Sequence, residues 1–195
     1  MADVHKLTSG DDVFQLPDGD ISVFAQEGDD NVTGNDLNNR IGLGSGDDLG
    51  RGGRGDDVLW GNVGNDTLFG DAGNDVLLHG PGDDIVYGGA GNDHVYGGPN
   101  IKPNSGSDQI FGGAGNDTLY AGDMNDTIDG GDGDDEMGGG AGDDVFYSDG
   151  SDTIYGGEGF DTVYVQGEAS NTLISIGVGG GFNIIGSDGT QNIYG

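Results

Sequence analysis

The chain has 195 residues, with 46 Gly, no Cys, and 5 Lys+Arg against 36 Asp+Glu, a formal net charge of −31. Without Cys there is no disulfide scaffold, thiolate metal site or Cys nucleophile, and no apolar run approaches the ~18 residues of a membrane span. Charge of this sign repels phosphate backbones and anionic lipid, so nucleic acid and bare membrane are poor partners, and at low hydrophobicity it leaves the chain disordered until something positive neutralises it.

Taken in order, the chain is organised by a nine-residue repeat. Residues 1–27 hold two weak copies, with Asp12 and Ile21 at the position later copies fill with Asp, and are expected to cap the first coil. The roll proper is expected over 28–164, where Asp30, Asn39, Asp48, Asp57, Asp66, Asp75, Asp84 and Asp93 follow at steps of nine. A six-residue insertion, assigned to a loop at 97–103, shifts the frame, which resumes at Asp108, Asp117, Asp126, Asp135 and Asp144. A one-residue deletion precedes Asp152 and Asp161. Of these 17 positions 15 are Asp; Gly stands two residues before in 15, and an apolar side chain two residues after in 16, Gly50 being the break. Three columns locked together over so long a stretch establish a repeat array. Residues 165–195 lack turn aspartates, and NTLISIGVGG, FNIIG and QNIYG read as short strands covering the last coil.

Each unit, as in GGAGNDTLY (112–120), divides into a six-residue turn and a three-residue strand. Gly takes positive φ freely and Asp and Asn tolerate it, while the strand alternates so that its central apolar residue faces one way. Such strands bury little singly, so they are expected to stack into an all-β two-sheet solenoid with a thin aliphatic core. With two units per coil, residues 18 apart such as Asp57 and Asp75 lie one above the other. Aspartate columns then run up both edges at about 4.8 Å spacing, an arrangement that opposes folding unless a cation lies between turns. Calcium, which takes 6–8 oxygen ligands in flexible geometry, suits carboxylates and inward-facing carbonyls; magnesium demands stricter geometry, and zinc or copper would call for His or Cys. His5, His79 and His94 sit in no ligand spacing and on no shared column.

The units GGAGNDTLY, GGAGNDHVY and GGRGDDVLW resemble the nonapeptide of the RTX (repeats-in-toxin, hemolysin-type calcium-binding) family over residues 28 to 164. The resemblance implies a right-handed parallel β-roll, capped at both ends, with several calcium ions between the turns. It implies ligands from the Asp side chain and from the second and fourth turn carbonyls: Gly53, Gly55 and Asp57; Asn62, Gly64 and Asp66; Asp71, Gly73 and Asp75; Gly80, Gly82 and Asp84; Gly89, Gly91 and Asp93; Gly113, Gly115 and Asp117; Gly131, Gly133 and Asp135; Gly140, Gly142 and Asp144. Asp30, Asp48, Asp108, Asp126, Asp152 and Asp161 join the set by their place in the column, and first-position residues such as Gly52, Gly61 and Gly70 are expected to add carbonyls. Asn39 and Ile21 in place of Asp, Pro103 and Asn104 before Asp108, and Met124 before Asp126 mark weaker sites. With these defects, and 6–8 oxygens needed per ion, roughly 7–10 ions are expected.

The ninth slot is large or aromatic, predicting ladders Trp60-Leu78-Tyr96 on one face and Phe69-Tyr87-Phe111 on the other. Cross-strand packing is the expected role; a surface for sugar rings or a partner protein is the alternative. Every carboxylate pair belongs to the repeat, and Ser residues have no His in frame, so no enzyme is expected; the roll is read as acting alone or as an accessory module of a larger secreted enzyme or toxin. MADVHK has no apolar h-region of a conventional signal peptide. The resemblance implies secretion from bacteria through type I export machinery, with folding delayed until calcium is met outside. An adhesin, surface-layer or matrix role, binding polysaccharide or the cell surface, is the alternative.

Overall fold

A computed structural model describes residues 4–19, 21–97, 106–166, 172–175, 181–186 and 192–194. Each repeat contributes one strand, from β1 (Val4–Lys6) and β2 (Val13–Gln15) to β20 (Gly181–Gly186) and β21 (Asn192–Tyr194). Odd-numbered strands form an 11-stranded sheet and even-numbered strands a 10-stranded sheet, and every pairing is parallel between coils. The result is the two-sheet solenoid that the period predicts and the parallel β-roll that the resemblance implies, one strand of each coil going to each sheet.

Register follows the repeat arithmetic. Val58, Leu59 and Trp60 of β7 (Val58–Val63) lie beside Val76, Leu77 and Leu78 of β9 (Val76–Leu78), 18 residues on. Across the insertion, Ile85 of β10 (Ile85–Ala90) pairs with Gln109 of β12 (Gln109–Ala114), so the register holds at a spacing of 24. The predicted insertion loop lies, apart from Gly97, outside the described residues. At the deletion Glu136 pairs with Thr153 and Val145 with Thr162. Strands appear after the last aspartate turn too, at Leu173–Ser175, Gly181–Gly186 and Asn192–Tyr194, extending both sheets.

Most strands run six residues, as in β7 and β8 (Thr67–Ala72), rather than the three the sequence suggests. The backbone ladder continues past the ninth slot into the first three of the next unit: Gly46 donates its N–H to Val63 O and Gly55 to Ala72 O, each at 2.9 Å. Only slots four to six remain as turn. Strand β9 stops at Leu78, just before His79, Gly80 and Pro81, and Pro81 has no N–H to continue the ladder.

The core is the eighth-slot column: Leu59, Leu68, Leu77, Val86, Val95, Ile110, Leu119 and Ile128 are wholly inaccessible. At Gly50, where the column breaks, a Cβ would lie 2.9 Å from Leu43 Cδ1. Leu43 stands in a first slot that is elsewhere mostly Gly, and its buried side chain fills the missing volume. On the outer faces the predicted ladders form. Phe69, Tyr87 and Phe111 stack at 4.8 and 4.9 Å with the Arg51 guanidinium 4.3 Å over Phe69. Trp60, Leu78 and Tyr96 are register neighbours, and Tyr96 stacks on Tyr120 at 5.9 Å.

Candidate metal centres

The turns place the second and fourth slots in the left-handed region. All sixteen predicted carbonyl donors, from Gly53, Gly55 and Asn62 to Gly140 and Gly142, have positive φ, and so do Gln26 and Met124, which stand where Gly is usual. Asn62 and Asp71 hold φ of 76° and 74°, within the tolerance of Asn and Asp. The Asp71 carboxylate turns outward to Arg51 at 2.7 Å, leaving only its backbone carbonyl for the site.

The column aspartates Asp30, Asp48, Asp57, Asp66, Asp75, Asp84, Asp93, Asp108, Asp117, Asp126, Asp135, Asp144, Asp152 and Asp161 are all buried. Each uses Oδ1 to accept the backbone N–H of the column residue one coil earlier. Asp75 accepts from Asp57 at 2.8 Å, Asp93 from Asp75 at 2.8 Å, Asp108 from Asp84 at 2.9 Å and Asp126 from Asp108 at 2.8 Å. A second ladder, which sequence reasoning took as turn chemistry alone, runs the other way on the fifth slot. There Asp47 Oδ1 accepts from Asn65 N–H at 2.8 Å and Asn65 Oδ1 from Asp83 N–H at 2.9 Å. Its signal was present: the fifth slot is Asn or Asp in nearly every copy.

The other oxygen carries the chemistry. Oδ2 of Asp30, Asp48, Asp57, Asp66, Asp75, Asp93, Asp108, Asp117, Asp126, Asp135 and Asp144 is buried with no hydrogen-bond partner. Eleven unpaired buried carboxylate oxygens are too costly to be incidental. What they face is set by the first slot. A Cβ on Gly88 would stand 2.6 Å from Asp93 Oδ2 and 2.5 Å from Gly112 O of the next coil, so the missing side chain leaves a carboxylate and a carbonyl converging on one space. Gly52, Gly61, Gly70, Gly112, Gly130 and Gly139 stand equally close to the Oδ2 atoms of Asp57, Asp66, Asp75, Asp117, Asp135 and Asp144. First-position carbonyls face the slots: of those expected, Gly70 O faces the Asp57 slot and Gly52 O the Asn39 slot, while His79 O faces the Asp66 slot and Gly88 O the Asp75 slot. Seven of the eleven unpaired oxygens thus have a Gly-lined slot. Asp30, Asp48 and Asp126 have Ala25, Leu43 and Ala121 in the first position instead.

Elsewhere a side chain fills the slot. Asp152 and Asp84 are such cases; at Asn39 the first slot is the open Gly34, and Asn39 instead accepts Asn35 N–H at 2.7 Å and donates to Asn35 Oδ1 at 3.0 Å. Ser148 donates to Asp152 Oδ2 at 2.6 Å. His79, which the sequence places in no ligand spacing, is wholly buried beside Asp84 and Asp108, a correction to that reading.

Burial pushes most of the column carboxyls above the usual Asp value of 3.8, and at many of them neighbouring carboxylates add to it. Asp48 and Asp75 rise to about 6, Asp57, Asp66, Asp93, Asp135 and Asp144 to about 7, and Asp126 to about 8. Hydrogen bonds from the backbone amides pull the other way without offsetting the desolvation. Without a cation these groups resist ionisation. With a hard divalent ion the same oxygens and carbonyls are the donor set calcium takes.

The slot can be tested by filling it. Gly88→Ala adds a methyl group between Asp93 Oδ2 and Gly112 O, at a residue whose φ is not positive, while buried Ala121 shows that the fold accepts Ala in this slot. The variant is expected to fold in excess calcium, retain one fewer ion by mass spectrometry under native conditions, and lose about 1–3 kcal/mol from overpacking. An unchanged ion count would place the sites elsewhere.

A comparison with curated proteins gave no match. The family model for the RTX calcium-binding nonapeptide repeat matches at residues 42–77, 80–100, 104–137, 125–146 and 146–167, together more than half of the chain. These segments span the turns described above, from the slots of Asp48 and Asp57 to those of Asp152 and Asp161, and the chain belongs to the RTX calcium-binding nonapeptide-repeat family.

Proposed function

We propose that the protein is a secreted bacterial calcium-binding β-roll, unstructured where calcium is scarce and folded by several ions once exported through type I machinery. The observation that carries the reading is the set of eleven buried, unpaired Oδ2 atoms along the two edges. Bound calcium supplies the positive charge those oxygens lack. The chain's residues do the rest: Oδ1 ties adjacent coils through backbone amides, and first-slot glycines keep each space open. Seven Gly-lined slots support the lower end of the roughly 7–10 ions expected at 6–8 oxygens per ion. Because the sites exist only when coils stack, binding energy is folding energy. A charge of −31 keeps the metal-free chain extended and competent for export.

Far-UV circular dichroism during a calcium titration from chelator tests this. Cooperative gain of β signal at submillimolar to millimolar calcium, absent with magnesium, is the expected outcome. Full β structure in chelator at neutral pH would overturn it. A second reading, binding of a polysaccharide, has one observation in its favour: Phe24 and Trp60 flank a surface notch floored by Gly42 and Leu43. Trp60 is the single Trp, so quenching of its fluorescence by a glycan would report engagement there.

A further inference from the structure

His79 occupies a first slot, the position at which the seven open slots have Gly. Its ring is wholly buried, with Nδ1 3.1 Å from Asp84 Oδ2 and 3.3 Å from Asp108 Oδ2. One donor atom from each of the three residues lies within 4.8 Å of the others. A simple hydrogen-bonded plug accounts for this poorly. Nδ1 carries at most one hydrogen and can satisfy one carboxylate, and Asp108 Oδ2 remains buried without a hydrogen-bond partner. The plug at Asp152 shows no such deficit, since Ser148 satisfies its Oδ2.

The spacing has a different match. Donors held by one ion at about 2.0–2.1 Å in a tetrahedral arrangement lie roughly 3.3 Å apart, which the separations of the two carboxylate oxygens from Nδ1 match; the ligand type then decides the ion, since calcium draws its ligands from oxygen. An imidazole nitrogen also suits zinc, copper or nickel better than calcium. We propose that His79 Nδ1, Asp84 Oδ2 and Asp108 Oδ2 form a site for a divalent transition metal of the zinc class, set within the calcium ladder at the coil that carries the insertion. The site is made once only, because no other histidine stands in a first slot. Its carboxylates come from turns 24 residues apart, so it forms only when the coils on either side of the inserted segment are stacked.

The proposal requires the calcium-folded roll, which circular dichroism reports independently of transition-metal binding. The test begins with calcium-saturated protein, folded by that criterion, equilibrated with zinc and desalted into calcium buffer. One zinc per chain is expected to remain, and cobalt in its place should give the visible absorption of a nitrogen- and oxygen-ligated ion. His79→Gly, which restores the residue usual in this slot, should lose the zinc and cobalt signals at least tenfold and take up one more calcium. Asp108→Asn, first shown by circular dichroism to be folded in excess calcium, should retain less zinc than the wild type. No retained zinc in the folded wild type, or equal retention by His79→Gly, overturns the site and leaves His79 as a plug.

Discussion

In chelator, lowering the pH from about 8 to about 5 is expected to convert the chain from coil to β-roll without calcium, protons doing at the column carboxylates what calcium does at neutral pH. Asp57, Asp66 and Asp93 titrate near 7 in the ion-free roll, against 3.8 for an ordinary Asp. Between those values the folded state binds more protons than the unfolded one, so the stability of the ion-free roll falls as pH rises through the window. Below the unfolded value the penalty is absent, and above about 7 it is complete. One pKa displaced by a unit is worth about 1.4 kcal/mol, so several such groups together outweigh the ~5–15 kcal/mol net stability of a domain. A final pH of about 5 stays above the sequence pI of about 4.1, and sedimentation distinguishes folding from precipitation. Identical spectra at both pH values would mean that buried carboxylates do not hold the ion-free chain open.

Period arithmetic made the columns legible in advance. A fixed spacing of 18 residues determines which side chains lie over one another, so the core from Leu59 to Ile128, the aromatic stack on Tyr87 and the stacking of Asp57, Asp75 and Asp93 all followed from the frame, whereas the burial of those carboxylates did not. What the frame does not contain is direction. That Oδ1 of Asp75 is taken by the Asp57 amide while Oδ2 stands free depends on coil-to-coil geometry, which a column of identical residues does not encode. Strand length was misjudged because glycines look like turn. In the first three slots they remain in the ladder, bending it at the second slot through positive φ. His79 was missed because metal-ligand spacing was sought along the chain, and the insertion puts its partners 5 and 29 residues away. The slot number, not the spacing, was the signal.

Replacing Asp75 in two ways should separate the two oxygens. Asp75→Ala removes both, leaving the buried Asp57 N–H without its acceptor, which costs about 1–3 kcal/mol. Asp75→Asn keeps an oxygen for that amide and removes the buried charge, so the effect depends on whether the cation is present. In calcium both variants should need more of the ion to fold, Ala more than Asn, and each should retain at least one fewer ion. In chelator their signs diverge. Asn relieves a carboxylate that burial has raised to about 6, so its acid-induced folding should begin at a higher pH than in the wild type. Ala relieves the same charge but exposes the orphaned amide, and its folding midpoint should lie below that of Asn. Asn39 already shows an amide in this column held by its own hydrogen bonds, so the backbone accepts the substitution. If Asn and Ala shift both midpoints by the same amounts, the carboxylate acts through charge alone and the Oδ1 ladder contributes nothing. If Asn retains the full ion count, Asp75 is not a ligand. Only a carboxylate with one oxygen bound to the protein and the other reserved for the ion gives opposite responses in the two media.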